Sequence, residues 1–268
     1  MPVKIADCRH GRQMYFDTDV YFGPMIERCG EYNEGEVDLF HHLIGAGDTV
    51  VDAGANIGMH TVPLAKIVGS GGRILAFEPQ RPMFYALGGT LALNELWWVD
   101  IYPVALGAER GITKVMAIDY AKPDNYGGCS VGDGYHGPDV PVLPLDDLDL
   151  PALRFIKADV EGYETELLLG ARETIRRHRP ILYVENDRIE KSDRLIETML
   201  GMEYLLYLHV PLLFSPDNFR GCEENLFPNV VSVMLLGIPA EKAESFSIGG
   251  VMPITRPEDM VKFGKFVI

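Results

Sequence analysis

Short runs of continuously apolar residues recur along this chain and alternate with stretches of helical periodicity. A strand that is buried on one face alternates apolar and polar residues, whereas a strand of a helix-covered parallel sheet is apolar throughout. Alternation of such strands with helices is typical of an α/β fold with a doubly wound, mostly parallel sheet. Seven strands are predicted, at Thr49–Asp52, Arg73–Glu78, Val99–Leu106, Arg154–Asp159, Pro180–Glu185, Tyr204–His209 and Val230–Leu236.

The stretches between these strands define the rest of the predicted architecture. The chain is expected to form a single domain over 1–268, with an N-terminal extension at 1–47, a doubly wound core at 48–238 and a C-terminal tail at 239–268. Residues 121–144 are rich in Gly, Pro and Asp, and they are expected to form a long surface loop of the kind that covers a site. The predicted helices are Met59–Val68, Pro82–Leu93, Glu164–His178 and Ile189–Leu200.

Charge and cysteine usage restrict the classes of partner. With 39 acidic and 24 basic residues in 268, the formal charge is −15, and no run of Lys or Arg is present. This argues against nucleic acid or an anionic membrane as the main partner.

Cys8, Cys29, Cys129 and Cys222 form no CxxC pair, so neither a zinc site nor a disulfide framework is indicated. No signal segment is visible, and no apolar run approaches the roughly 20 residues of a membrane helix.

We therefore expect a cytoplasmic protein whose partner is a small molecule. The sequence leaves open whether the chain is a monomer or forms a homo-oligomer.

The segment VVDAGANIGMHT, at the end of the first predicted strand, is the main candidate binding loop. Ligands of open α/β sheets bind at the carboxyl ends of strands, and Gly54 and Gly58 allow the backbone a tight turn and a close approach. Glu78 ends the second strand, where a carboxylate can accept both hydroxyls of a ribose.

The same loop argues against a dinucleotide as the ligand. Asn56 replaces the middle glycine of G-x-G-x-x-G, and Asp52 beside the loop would repel a pyrophosphate but attract an ammonium group. A ligand with a ribose, a cationic amino-acid end and no phosphate fits better, and S-adenosylmethionine is such a ligand. The simpler interpretation is a structural turn with a surface glutamate.

An ordered set of motifs along the chain resembles a known family. The motifs are VDAGANIGMHT, ILAFEPQRPMFYAL with Asn94, VALG, FIKADVEGYETELLLGA and RPILYVEN. Over about residues 30–190 they resemble the FkbM-family S-adenosylmethionine-dependent methyltransferases, whose hallmark has the form IK-x-D-x-EG-x-E-x-x-x-L-x-GA. The resemblance implies a class I methyltransferase, Rossmann-like fold with a seven-stranded sheet, and O-methylation of sugars or natural products. The hallmark positions kept here are Asp159, Glu161, Gly162, Glu164, Gly170 and Ala171.

The resemblance also implies roles for individual cofactor-binding residues. Asp52, Gly54 and Asn56 would line the methionine part of the cofactor. Glu78 would hold the ribose, and Pro79 and Ala105 would lie beside the adenine.

Catalytic residues are expected beyond the fourth strand. Methyl transfer from a sulfonium is an in-line displacement that needs alignment and a base for the hydroxyl proton. Asp159 and Glu161 are the predicted pair for hydroxyl binding and base chemistry, with Glu185, Asn186 and His136 as substrate-binding candidates. Glu161 with Gly162 could equally cap the next helix, where anions are favoured.

A divalent metal ion is the alternative to a simple base. Asp159, Glu185 and Asn186 resemble the arrangement of the metal-dependent catechol-type O-methyltransferases, and their oxygens suit Mg²⁺. Such an ion would lower the pKa of the acceptor hydroxyl. His60 either reaches the cofactor pocket or lies on the helix surface.

Two other functional classes compete with a methyltransferase. The first is an NAD-dependent oxidoreductase on a similar fold, against which Asn56 and the absence of a Tyr-x-x-x-Lys pair stand. The second is a non-catalytic scaffold that binds S-adenosylmethionine, against which the retained acidic motif stands. Absorbance of a bound nicotinamide would support the first, and cofactor binding without transfer the second.

Overall fold

The structure is a computed structural model that describes residues 3–132, 134–246 and 249–263. Within those ranges no helix has both the length and the apolar character to cross a membrane. The strands are β1 (Val3–Cys8), β2 (Gly11–Phe16), β3 (Thr49–Ala53), β4 (Arg73–Phe77), β5 (Val99–Tyr102), β6 (Ala105–Leu106), β7 (Gly111–Lys114), β8 (Asp139–Leu143), β9 (Phe155–Ala158), β10 (Ile181–Glu185), β11 (Tyr204–His209), β12 (Met234–Pro239) and β13 (Met252–Ile254). The α-helices are α1 (Phe22–Arg28), α2 (Glu34–Leu43), α3 (Thr61–Val68), α4 (Arg81–Leu93), α5 (Glu164–Leu169), α6 (Arg172–His178) and α7 (Ile189–Gly201).

The main sheet has eight strands among the described residues, in the order β13-β11-β12-β10-β9-β3-β4-β5. The five strands from β10 to β5 are parallel, and the other three are antiparallel to their neighbours. The expected doubly wound α/β sheet is present, but the seven-strand expectation is corrected by the edge strand β13. This strand has only three residues and contains Pro253, so no sequence pattern marks it, and proline is tolerated at a sheet edge.

Three predicted elements have different bounds in the structure. The predicted strand Val99–Leu106 divides at Pro103, so that β5 stays in the main sheet and β6 joins β8 and β7 in a second sheet. The predicted helix Glu164–His178 divides after α5, where a side chain on Gly170 would meet the carbonyl oxygen of Gly107 at 1.9 Å. The last predicted strand begins later, at Met234.

The central strands are buried on both faces, as their continuous apolar runs predict. Successive residues of β3 point to opposite sides, so Val50 packs with Phe40 and Val62 of α2 and α3, whereas Val51 packs with Leu167 and the α5–α7 layer. Polar side chains can therefore reach a ligand only at the strand ends.

The N-terminal extension lies against the carboxyl edge of the sheet. The hairpin β1–β2 packs on α4, and α2 packs on α3. Asp19 accepts hydrogen bonds from the backbone N–H groups of Tyr21 and Phe22 at 2.8 and 2.6 Å, and from that of Tyr126 at 3.1 Å. This carboxylate thus ties the start of α1 to the loop that precedes β8, and together they close one side of a cavity.

Candidate functional site

A cavity of about 410 Å³ opens at the carboxyl ends of the parallel strands. Its walls come from the ends of β3, β4, β9 and β10, from residues 21–36, from the loop around residues 125–131 and from residues 230–233 before β12. This is where ligands bind in open α/β sheets, and the volume lies in the range of small-molecule sites.

The turn from β3 to α3 lies across the floor of the cavity. Gly54 has φ +77°, and a Cβ there would lie 1.7 Å from the carbonyl oxygen of Asp159. The backbone N–H groups of Gly54 and Ala55 both donate to the carbonyl of Phe77 at 3.0 Å. Asn56 also has positive φ, +50°. Glycine is therefore required at 54, because the turn passes directly over the end of β9.

Glu78 lies at the end of β4 and is almost fully buried. Its Oε2 accepts the N–H of Asn56 at 2.8 Å and its Oε1 accepts that of Gln80 at 2.7 Å. Burial raises the pKa of Glu78 to about 7, against the lowering effect of these two hydrogen bonds. Each oxygen keeps a second lone pair for a ligand hydroxyl. Pro79 and Ala105 also line the cavity.

Asp52 is placed differently from its prediction. It is completely buried and is not among the residues that line the cavity. Its Oδ2 accepts the hydroxyl of Thr61 at 2.6 Å, and its Oδ1 lies 3.7 Å from Nζ of Lys157. The carboxylate is thus used to balance a buried ammonium group behind the turn.

Three carboxylates meet on the other side of the turn. Oxygens of Asp159, Glu161 and Glu185 all lie within 4.8 Å of one another. Nζ of Lys157 lies 3.3 Å from Asp159, and Arg188 pairs with Glu161. Burial, and then the nearby charge of Asp159, raises the pKa of Glu161 to about 8 and that of Glu185 well above its usual range. The cluster therefore combines groups that hold a proton with a carboxylate that can accept one.

The segment that carries Glu161 is held by Glu164, at the start of α5. Glu161 and Gly162 have φ of +56° and +92°. Oε1 of Glu164 accepts the N–H groups of Val160 and Gly162 at 3.1 and 2.9 Å. Lys191 donates to the carbonyl of Gly162 at 2.7 Å. Glu161 does not cap α5, and Glu164 itself reaches back to stabilise the turn.

Two predicted substrate residues lie away from the cavity lining. The side chain of Asn186 is buried, and neither its oxygen nor its nitrogen has a hydrogen-bond partner within the described part of the chain. His136 is exposed on its loop. Among the described residues, the carboxylates close enough to share an ion are Asp159, Glu161 and Glu185, so Glu161 joins the two carboxylates of the predicted metal set.

Two cavity residues from α2 and the segment before it were missed at the sequence level. Asn33 and Glu36 line the cavity and are buried, and so is His60, which sequence reasoning left between the pocket and the helix surface. A signal existed: Glu36 stands beside Val37 and one turn before Phe40, so an acidic residue falls on the apolar face of the helix.

Comparisons with known proteins identify a family for this chain. The model of a family described as "Methyltransferase FkbM domain" matches residues 52–208. The chain is similar to the structure of methyltransferase FkbM from Methylobacillus flagellatus, with 22% identity and a TM-score of 0.49 over 72% of this chain and 44% of that one. The chain thus spans less than half the length of that protein.

Two further solved structures are similar at lower identity. A putative rRNA methylase from Clostridium thermocellum has 15% identity and a TM-score of 0.46, covering 84% of this chain and 98% of that one. A SAM-dependent O-methyltransferase from Thermotoga maritima has 14% identity and a TM-score of 0.43, covering 88% and 78%. No curated protein matches the chain at a significant level.

Proposed function

Because the chain belongs to the FkbM methyltransferase family, we propose that it transfers the methyl group of S-adenosylmethionine to a hydroxyl of a small molecule, a sugar or a natural product. The observation that carries this proposal is the pairing of two features across one cavity. A buried carboxylate suited to a ribose, Glu78, lies on one side of the β3–α3 turn, and the cluster of Asp159, Glu161 and Glu185 lies on the other.

The proposed place of the cofactor follows from these positions. The ribose hydroxyls donate to Glu78, and the backbone at Gly54 and Asn56 lies under the chain that leads to the sulfonium. Pro79 and Ala105 flank the adenine. The methyl group then faces the ends of β9 and β10, where the acceptor enters.

The proposed reaction is an in-line displacement at the methyl carbon. The acceptor oxygen forms the new O–CH₃ bond, the S–CH₃ bond breaks with its electron pair on sulfur, and Asp159 takes the hydroxyl proton. Asp159 is about one-third exposed and lines the cavity, so its carboxylate is within reach of an acceptor hydroxyl there. Glu161 and Glu185, with raised pKa values, donate hydrogen bonds to further hydroxyls of the acceptor.

Calorimetric titration with S-adenosylmethionine, S-adenosylhomocysteine and NAD is the first test. Binding of the two sulfur nucleotides but not NAD supports the proposal. Binding of NAD alone would favour an oxidoreductase. Sulfur-nucleotide binding without methyl transfer to any member of a broad hydroxylated acceptor library would favour a non-catalytic scaffold.

Replacing Glu78 with glutamine is expected to weaken binding of S-adenosylhomocysteine by about 10- to 100-fold. The carboxylate is buried and charge-assisted hydrogen bonds of this kind contribute about 1.5–3 kcal/mol. The glutamine amide also cannot accept from both Asn56 and Gln80 as Glu78 does. Titration calorimetry of the variant measures the change. The control is Glu109→Gln, an exposed glutamate outside the cavity, and equal affinities of the two variants would contradict the ribose assignment.

We propose that the reaction proceeds without a divalent ion, with Mg²⁺ as the alternative. Asp159, Glu161 and Glu185 offer oxygens at suitable spacing, but Lys157 and Arg188 already place two positive charges beside them, and burial favours the protonated forms of Glu161 and Glu185. An excess of chelator is therefore expected to leave the rate of S-adenosylhomocysteine release unchanged. Loss of that rate in chelator, with recovery on adding Mg²⁺, would instead support an ion held by the three carboxylates.

A further inference from the structure

Four buried polar atoms of cavity-lining residues lack a hydrogen-bond partner within the described part of the chain. One is Oε2 of Glu185, in the carboxylate cluster. The other three are Oδ1 of Asn33, Oε2 of Glu36 and Nε2 of His60, in residues that are 1%, 2% and 8% exposed. All three residues line the cavity. Burying a polar atom at this depth without a partner is unfavourable, more so when it is charged, and such atoms usually meet a partner. Their common position on one wall indicates that a ligand supplies it.

This wall lies across the β3–α3 turn from Glu78. Nδ2 of Asn33 donates to Oε1 of Glu36 at 2.6 Å and to the hydroxyl of Ser232, the residue two before β12, at 2.5 Å. In the sheet β4 is on one side of β3, whereas β9, β10 and β12 are on the other. A ligand whose ribose is bound by Glu78 must therefore cross the end of β3 to reach Glu36.

The three atoms suit the end of a ligand that carries a positively charged ammonium group and a negatively charged carboxylate. The oxygens of Asn33 and Glu36 accept hydrogen bonds, as an ammonium group requires. Oε2 of Glu36 and Nε2 of His60 lie 3.7 Å apart, and burial keeps the pKa of His60 well below its usual range, so the imidazole is neutral. A neutral imidazole can donate from Nε2 to a carboxylate.

The charges behind the turn leave Glu36 as the ammonium partner. Asp52 is the ammonium partner that the sequence predicts, but this carboxylate is buried between Thr61 and Lys157 and is not among the residues that line the cavity. Glu36, on α2, is a cavity-lining carboxylate with an oxygen that has no hydrogen-bond partner among the described residues. It comes from outside residues 52–208, which the family model matches.

We propose that Asn33, Glu36 and His60 form a zwitterion subsite that holds the amino-acid end of S-adenosylmethionine. The ammonium group donates to Glu36 and Asn33, and His60 donates to the carboxylate. This subsite rests on the proposed function, since it takes the cofactor to be S-adenosylmethionine. It also gives the N-terminal extension a direct part in cofactor binding.

The test is a thermodynamic cycle that removes the ammonium group from the ligand and the charge from the protein. Titration calorimetry compares S-adenosylhomocysteine with its analogue lacking the amino group, on the parent protein and on Glu36→Gln. The parent is expected to prefer S-adenosylhomocysteine by about 10- to 100-fold, and Glu36→Gln is expected to lose most of that preference. Asp38→Asn, an exposed carboxylate on the same helix, is the matched control and should keep it.

The outcomes separate the subsite from the function. Retention of the full preference by Glu36→Gln, or no preference in the parent, would overturn the subsite while the cofactor assignment stands. Failure of the parent to bind S-adenosylhomocysteine at all would overturn the proposed function instead. If Glu36→Gln does not fold, as judged by circular dichroism, His60→Gln is compared with the parent on an analogue lacking the carboxylate. Loss of discrimination against that analogue supports the subsite, and unchanged discrimination overturns it.

Discussion

Replacing Asp159 with asparagine is expected to lower the turnover number for methyl transfer by about 10²- to 10⁴-fold, the usual contribution of a general base. The substitution keeps the shape of the side chain at the end of β9 but removes its ability to take the acceptor proton. Lys157 keeps Asp52 as a partner at 3.7 Å, so we expect the fold to persist. The release of S-adenosylhomocysteine, followed with an acceptor found by library screening, measures the rate.

Cofactor affinity separates a catalytic effect from a structural one. The dissociation constant of S-adenosylhomocysteine should change far less than the turnover number in Asp159→Asn. Asp149→Asn is the control, because Asp149 lies before β9 and its side chain is almost fully exposed. A turnover number within a few-fold of the parent in Asp159→Asn would show that another group, or no group, accepts the proton.

Replacing Gly54 with alanine is expected to destabilise the protein by about 2–5 kcal/mol and to abolish cofactor binding at micromolar concentrations. An L-residue in the left-handed region costs roughly 1–2 kcal/mol, and forced overpacking adds about 1–3 kcal/mol. The new methyl group would lie 1.7 Å from the carbonyl oxygen of Asp159, which is backbone and cannot turn away. Denaturant unfolding measures the first effect and titration calorimetry the second.

Gly47 provides a matched control for the backbone cost alone. Its φ is +87°, similar to that of Gly54, but a Cβ there would have no atom within 4 Å. Gly47→Ala should therefore lower the free energy of unfolding only by the backbone cost of a left-handed residue, roughly 1–2 kcal/mol. It should bind S-adenosylhomocysteine like the parent. Equal losses of stability in the two variants would mean that the turn can move away from β9, contrary to the close contact at Gly54.

Several parts of the fold were predictable because local residues control them. Four of the five parallel strands, β3, β4, β9 and β10, follow from runs that are apolar on both faces, since a helix-covered strand buries both sides. The turn at Gly54 and the carboxylate at Glu78 follow from residue type at a strand end. Strand β13 and the division of Val99–Leu106 were not predictable, because contacts with distant chain segments, and not periodicity, decide them.

In the candidate site, too, some features were predictable from the sequence and others were not. Its acidic members beyond β9 and β10 stand at strand ends in the sequence, and the structure brings Asp159, Glu161 and Glu185 together. The partners of buried charges were not visible. Lys157 lies inside an apolar run, and nothing in the sequence states that its ammonium group faces Asp52 and Asp159.

The α/β class, the glycine turn and the acidic strand ends follow from the amino-acid sequence, because each depends on sterics and burial within a few residues. Long-range packing pairs Asp52 with Lys157, and it leaves an oxygen of Glu36, a cavity residue from α2, without a hydrogen-bond partner among the described residues. The physical reason is that a buried charge must be balanced by whichever opposite charge the packing brings near. That choice depends on the order of strands in the sheet and on where the N-terminal helix lies against it.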